Sequence, residues 1–235
     1  MALPTGLQQP PRLYGLDIET DTSVDGLDPR LSAIVAIALS TESGSSVWMG
    51  EEAESLQHLE ERLASLEPGV VVTWNGSGFD LPFLSWRAAH CGVPLSLRIF
   101  PAGSLSKRRA LPGHRSSYRA TWGAHGHLDA YLAWRDLPSE KGLPMGLKAV
   151  ARRRGLNPIQ VDRRQIHLLE EEQLLNYVAS DAEVARELAI MRWSDISDRI
   201  DSVPDTDEQG DGQPFLLQAS ATPNQTGTDN ADRDR

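Results

Sequence analysis

The sequence predicts an α/β fold with a mixed central sheet flanked by helices. Three observations carry this: successive strand-like apolar segments near the N-terminus, a leucine run at helical spacing that leads into a buried strand, and a long late helix. Three strands ahead of the first helix imply that strand directions are mixed rather than all parallel.

Taken in order, Arg12 to Thr20 and Leu31 to Ser40 read as strands, the second rich in Ile and Ala, and Ser45 to Gly50 as a short third. Glu51 to Leu66 has helical periodicity, with Leu56, Leu59 and Leu63 on one face and Pro68-Gly69 closing it. Val70 to Trp74 is a short buried strand. Asp80 reads as the N-cap of a helix running to about His90, with Pro82 tolerated in its first turn. The stretch from Pro94 to Gly126 is rich in Gly, Pro, Ser and Arg and is expected to be an irregular insertion. A short strand or turn near His127 to Ala130 leads into helical Tyr131 to Arg135. Helices follow near Leu147 to Arg154 and from about Leu168 to Trp193.

The 235 residues suit one domain, and the formal charge of -10 is unevenly placed. From Asp195 onward ten acids face three arginines, in a segment poor in apolar residues after Val203. Such a composition cannot bury enough surface to offset chain entropy, so residues 200–235 are expected to be a disordered acidic tail and residues 1–11 a flexible N-terminus. The body, 12–194, is nearly neutral. Leu81 to Leu128 contains no acid but carries Arg87, Arg98, Lys107, Arg108, Arg109, Arg115 and Arg119. Residues 141–164 add Lys141, Lys148, Arg152, Arg153, Arg154, Arg163 and Arg164 against Asp162 alone. Such runs are either solvated faces or phosphate-binding surfaces.

Cys91 is the only cysteine, which excludes an internal disulfide and a cysteine-based zinc site and suits a reducing, cytoplasmic setting. The longest apolar run, Ala33 to Leu39, falls far short of a membrane span, and the N-terminus lacks a basic region followed by an apolar stretch. Neither a membrane protein nor a secreted one is expected.

Asp17 and Glu19 stand two apart on a strand, so both carboxylates leave the same face. Either they are solvated at a strand end, or a divalent cation lies between them. Val71 to Leu84 is a buried strand that breaks into a Gly-rich turn, Asn75-Gly76-Ser77-Gly78, and delivers Phe79 and Asp80 at a helix start. In the last helix, Tyr177 and Asp181 are four apart and share a face.

Asp-x-Glu on a strand, Asn-x-x-x-Phe-Asp after a strand and Tyr-x-x-x-Asp in a late helix resemble the motif triplet of the DEDD superfamily of 3′-to-5′ exonucleases. Asn176 stands where the histidine branch would place His, and Tyr177 marks the tyrosine (DEDDy) branch. Asp80 to Leu84, His127 to Leu132 and Gly146 to Ala151 are similar to segments of the proofreading exonuclease domain of family B DNA polymerases. The resemblance spans residues 12–193, apart from 94–126, and implies an RNase H-like fold.

It further implies that Asp17, Glu19, Asp80 and Asp181 hold two divalent cations, Mg²⁺ or Mn²⁺, which suit an all-carboxylate donor set. Tyr177 would orient the attacking water. The expected reaction is hydrolysis of terminal phosphodiesters to nucleoside 5′-monophosphates, on single-stranded DNA above all. A ribonuclease acting on RNA ends and an inactive nuclease fold that binds nucleic acid are the alternatives. Asn75, Phe79, Arg108, Arg109 and Arg115 are expected to contact substrate, with Arg98, Lys107 and Arg119 in the same basic lid and Tyr118 and Trp122 stacking on bases. DNA repair is the expected setting. Gln213 to Leu217 resembles a sliding-clamp peptide, and His125-Gly126-His127 reads as a turn in preference to a zinc pair.

Overall fold

The computed structural model describes residues 10–104 and 116–201. Arg108, Arg109, Arg115 and Lys107 of the expected lid lie outside the described residues, as do the N-terminus and residues 202–235 with Gln213 to Leu217.

A seven-stranded mixed sheet forms the centre, in the order β3-β2-β1-β4-β7-β6-β5. The strands are β1 (Leu13–Thr20), β2 (Ile34–Thr41), β3 (Gly44–Met49), β4 (Val70–Thr73), β5 (Leu97–Ser104), β6 (Ser116–Trp122) and β7 (His125–Asp129). β1, β4 and β7 run parallel; the β1–β2, β2–β3, β5–β6 and β6–β7 pairs are antiparallel. Helices α1 (Glu52–Ser65) and α2 (Asp80–Cys91) cover one face. Helices α3 (Ala130–Arg135), α4 (Leu147–Arg153) and α5 (Glu171–Met191) cover the other.

The two-residue period of β1 divides its side chains between these layers. Tyr14, Leu16 and Ile18 pack with Leu56, Leu59 and Leu63 of α1 and with Leu81, Phe83 and Leu84 of α2. Each such leucine, fully buried, contributes about 2 kcal/mol of hydrophobic stabilisation. Leu13, Gly15, Asp17 and Glu19 therefore face α5. That helix buries Leu174, Tyr177, Val178, Asp181, Ala182, Ala185 and Leu188 at three- and four-residue spacing, and a capping box of Glu170 and Gln173 starts it.

The stretch expected to be irregular, 94–126, instead extends the sheet through β5 and β6. Its Pro101 and Gly103 are tolerated because β5 is the edge strand and its register shifts between those two residues. His125-Gly126-His127 lies in β7, not a turn, and both rings are engaged. Gly69 N–H donates to His125 Nδ1 (3.2 Å), and His127 Nε2 meets Thr73 Oγ1 at 2.9 Å. Ile200 and Asp201, placed in the tail by composition, are held against β7 instead: Asp201 bridges to the His127 backbone and its carboxylate to His127 Nδ1 at 3.1 Å. Trp122 is buried and donates its indole N–H to Glu60 (2.7 Å), and Tyr118 is buried too, so neither is open to a base. Among the described residues no helix is long and apolar enough to cross a membrane.

One contact sets the distance between β1 and α5. A Cβ on Gly15 would stand 2.0 Å from the Ala182 carbonyl oxygen, which is backbone and cannot swing aside. Gly15→Ala should therefore push α5 off the sheet and lower stability by roughly 3 kcal/mol in urea unfolding. A native midpoint would show that the helix can move without loss.

Candidate active site

Asp17 and Glu19 project from the α5 face of β1, where their β2 partners are Ala38 and Ala36. The two methyl side chains leave room beside the carboxylates. The β1–β2 register shifts between Glu19 and Thr20, a bulge at the strand end of the kind that re-aims a side chain. Gly15, two residues earlier, lets α5 approach closely enough for Asp181 to complete the cluster. One oxygen from each of Asp17, Glu19 and Asp181 lies within 4.8 Å of the others, and all three residues are buried.

Asp80 lies outside that set of three. It is buried at the first position of α2, and the helix N-cap is Phe79, whose side chain makes no capping bond. The N-cap expected at Asp80 is thus displaced by one residue, to Phe79. Burial holds the Asp80 carboxyl well above the usual carboxylate range and the Asp17 charge adds to it, while the Asp80 charge adds to the rise of Glu19. Asn75 is exposed and Phe79 half-buried against Phe83, at a ring distance of 5.4 Å. Arg98 and Arg119 are exposed on β5 and β6.

Burial is the first cause that holds the Asp17 carboxyl well above the usual carboxylate range, and the Glu19 charge adds to it. Glu19 itself is pushed up to about 7, chiefly by burial, against the opposing pull of Arg163. Tyr177 is pushed up to about 12 by burial and then by Glu19, so its phenol is neutral at physiological pH. Among the described residues Asp17 Oδ2, Glu19 Oε1 and Asp181 Oδ2 are buried without a hydrogen-bond partner. Buried anionic oxygens left unpaired are costly, and several converging on one point form a donor set for a hard divalent cation.

Residues 33–119 match the family model of the DNA polymerase family B exonuclease domain. The catalytic chain of DNA polymerase epsilon from Schizosaccharomyces pombe is 34% identical over 139 residues, which are 56% of this chain and 6% of that protein. DNA polymerase 2 of Aeropyrum pernix is 29% identical over 120 residues, 48% of this chain and 15% of that one. The family B DNA polymerase of Pyrobaculum calidifontis superposes with a TM-score of 0.64 at 22% identity, covering 81% of this chain and 25% of that chain. This chain resembles the exonuclease domain of family B DNA polymerases. Its fold is RNase H-like, and it spans only a small part of the length of these relatives.

The matched segment includes Asn75 to Leu84 of the exonuclease-like domain but not Asp17, Glu19, Tyr177 or Asp181. Those four are joined by the close packing of β1 and α5. Two cations that the motifs do not include complete the setting. Lys148 of α4 forms an ion pair with Asp181, and its ammonium lies 4.5 Å from the Tyr177 ring centroid. Arg163 donates from Nε to the Tyr177 hydroxyl at 3.1 Å. Both belong to the basic run 141–164; Lys148 also lies in the segment Gly146 to Ala151 that resembles the exonuclease domain, whereas the run is the only sequence signal for Arg163. Burial lowers Lys148 to about 8 against the pull of Asp17. Arg163 is held protonated: burial works against its charge, but the Tyr177 hydroxyl and the Glu19 and Asp17 carboxylates outweigh it.

The raised acids dictate a direction for stability. Glu19 titrates at 4.5 ordinarily and at about 7 in the fold, so between those values the folded protein keeps a proton that the unfolded chain has released. Its stabilising share is present below the lower value and is lost as pH rises through the upper one. In chelator, Glu19→Gln should therefore gain on the parent between about pH 5 and pH 8 by a few kcal/mol in urea unfolding, and a divalent cation should narrow the gap. A gap that is constant with pH would contradict the shift.

Proposed function

We propose that this chain is a metal-dependent 3′-to-5′ exonuclease that releases nucleoside 5′-monophosphates from single-stranded DNA. The observation that carries the reading is the set of three buried carboxylates from two separate elements, with unpartnered oxygens, in a chain similar to polymerase exonuclease domains. Its named relatives are DNA polymerases, which favours DNA over RNA as substrate.

Asp17, Glu19 and Asp181, with Asp80 beside them, would hold two Mg²⁺ or Mn²⁺ ions, since four carboxylates offer oxygen alone. Such ions supply Lewis-acid stabilisation to phosphodiester hydrolysis. The neutral Tyr177 phenol, anchored by Arg163, hydrogen-bonds and orients the attacking water, and with its proton held to about 12 it is a positioner rather than a base. Asn75 and Phe79, at the turn ahead of Asp80, contact the terminal nucleotide. Arg108, Arg109 and Arg115 are proposed to track its phosphates.

The test is incubation with 5′-labelled single-stranded DNA, with a matching RNA in parallel, in Mg²⁺ or Mn²⁺ and in chelator. Metal-dependent shortening from the 3′ end is expected. Asp17→Asn and Asp181→Asn should each cost about 1,000-fold, equivalent to the several kcal/mol a bound ion contributes, with an unchanged circular dichroism spectrum. Tyr177→Phe should cost about 10- to 100-fold while metal affinity stays native. Native activity in Asp17→Asn would refute the site, and activity that survives chelator would refute the metal.

A further inference from the structure

Asp80 reaches the acidic site by way of an unfavourable turn. Asn75 has φ 71°, the only non-glycine among the described residues in the left-handed region. Gly76 follows, where a Cβ would stand 2.2 Å from Thr73 Oγ1. Left-handed backbone at a residue with a side chain costs on the order of 1 kcal/mol and persists only where surroundings over-determine it.

The over-determining group is Asp129, at the end of β7. Its backbone pairs with Thr73 in the parallel ladder, which places its side chain directly under the turn. Oδ1 accepts the Asn75 N–H (3.0 Å) and Oδ2 the Ser77 N–H (3.0 Å), while Oδ1 also accepts the Leu132 N–H (3.3 Å) and so caps α3. The residue is 6% exposed. A carboxylate set in a concavity of backbone N–H groups makes charge-assisted bonds, stronger than neutral ones. The far side of the turn is tied by Tyr118 N–H donating to the Ser77 carbonyl (2.9 Å). Three residues beyond Ser77 stands Asp80.

We infer that Asp129 is a positioning residue of the nuclease site: its carboxylate clamps the Asn75–Phe79 turn and thereby fixes Asp80 beside Asp17 and Glu19, without touching substrate itself. The inference rests on the nuclease reading above. Asp129 is separate from the proposed metal ligands because both of its oxygens are committed to backbone donors.

Asp129→Asn tests it, because the shape is kept while one acceptor becomes a donor that faces a backbone N–H. Four quantities are read on the full chain: thermal unfolding in chelator, hydrogen exchange at Asn75 and Ser77, Mn²⁺ affinity by calorimetry, and kcat and KM on a single strand. The variant is expected to stay folded, to exchange those two amides at least 10-fold faster, to bind Mn²⁺ about 10-fold more weakly and to lose kcat at unchanged KM. In the double variant with Asp80→Asn, the Mn²⁺ losses should not add, because one residue acts through the other.

A lowered unfolding temperature with native Mn²⁺ affinity and native kcat would make Asp129 a fold residue only and overturn the inference. Fully additive Mn²⁺ losses would do the same, as they would make it an independent ligand. Should Asp129→Asn fail to fold, Asp129→Glu, which keeps the charge on a longer stem, carries the same readouts. If the parent cleaves no strand while Mn²⁺ losses remain non-additive, the clamp stands and the nuclease reading falls.

Discussion

The repulsion among buried carboxylates is the constraint around which this molecule is arranged. With oxygens of Asp17, Glu19 and Asp181 within 4.8 Å of one another, each like-charged pair costs about 3 kcal/mol at an effective dielectric near 20. The cost is offset in part by Lys148 on Asp181 and by Arg163 beside Tyr177. The remainder is borne by packing. Both sheet faces are covered by continuous apolar clusters, and the strand that carries two of the acids alternates them with Leu16 and Ile18, which are buried in the opposite layer.

The backbone enforces this closeness. Helix α5 can bring Asp181 to Asp17 only because Gly15 has no side chain where the Ala182 carbonyl passes, and because Ala36 and Ala38 are small where β2 flanks the acids. Three small residues on two strands thus bring acids from a strand and a helix to one place. The parallel arrangement of β1, β4 and β7 adds the rest: loops that leave the C-terminal ends of parallel strands open toward a common crevice, and the Asn75–Phe79 turn leaves β4 there.

Local spacing alone makes much of the site legible. The two-residue interval of Asp17 and Glu19 and the four-residue interval of Tyr177 and Asp181 each determine a shared face from strand and helix geometry. What spacing cannot reveal is a partner that arrives from elsewhere. Lys148 and Arg163 reach Asp181 and Tyr177 from separate elements, and nothing in a basic run distinguishes an inward cation from its solvated neighbours. Asp80 reads as a cap because an acid at a helix start satisfies either role, and the structure buries it at the first position of α2 with Phe79 as the N-cap. Pro101 and Gly103 mask the β5–β6 pair, although Leu97-Arg98-Ile99 already alternates at the strand period.

The charge sum of -10 is the coarsest of these descriptors, and it says least about the site. A field falls off within about a Debye length of some 8–10 Å in salt, so acids along an exposed surface matter little where groups are buried. Near the carboxylates the balance is set by a few residues: three converging acids and Asp80 on one side, Lys148 and Arg163 on the other. Among the described residues those two cations are fewer than the four acids, and burial, with like charge added to it, raises Asp17, Glu19 and Asp80 above the usual carboxylate range, so that protons are retained. A divalent cation and a proton are then alternative answers to the same unbalanced charge. Occupancy by one must release the other, which ties any cation affinity of this site to pH through the same groups that destabilise it when empty of both.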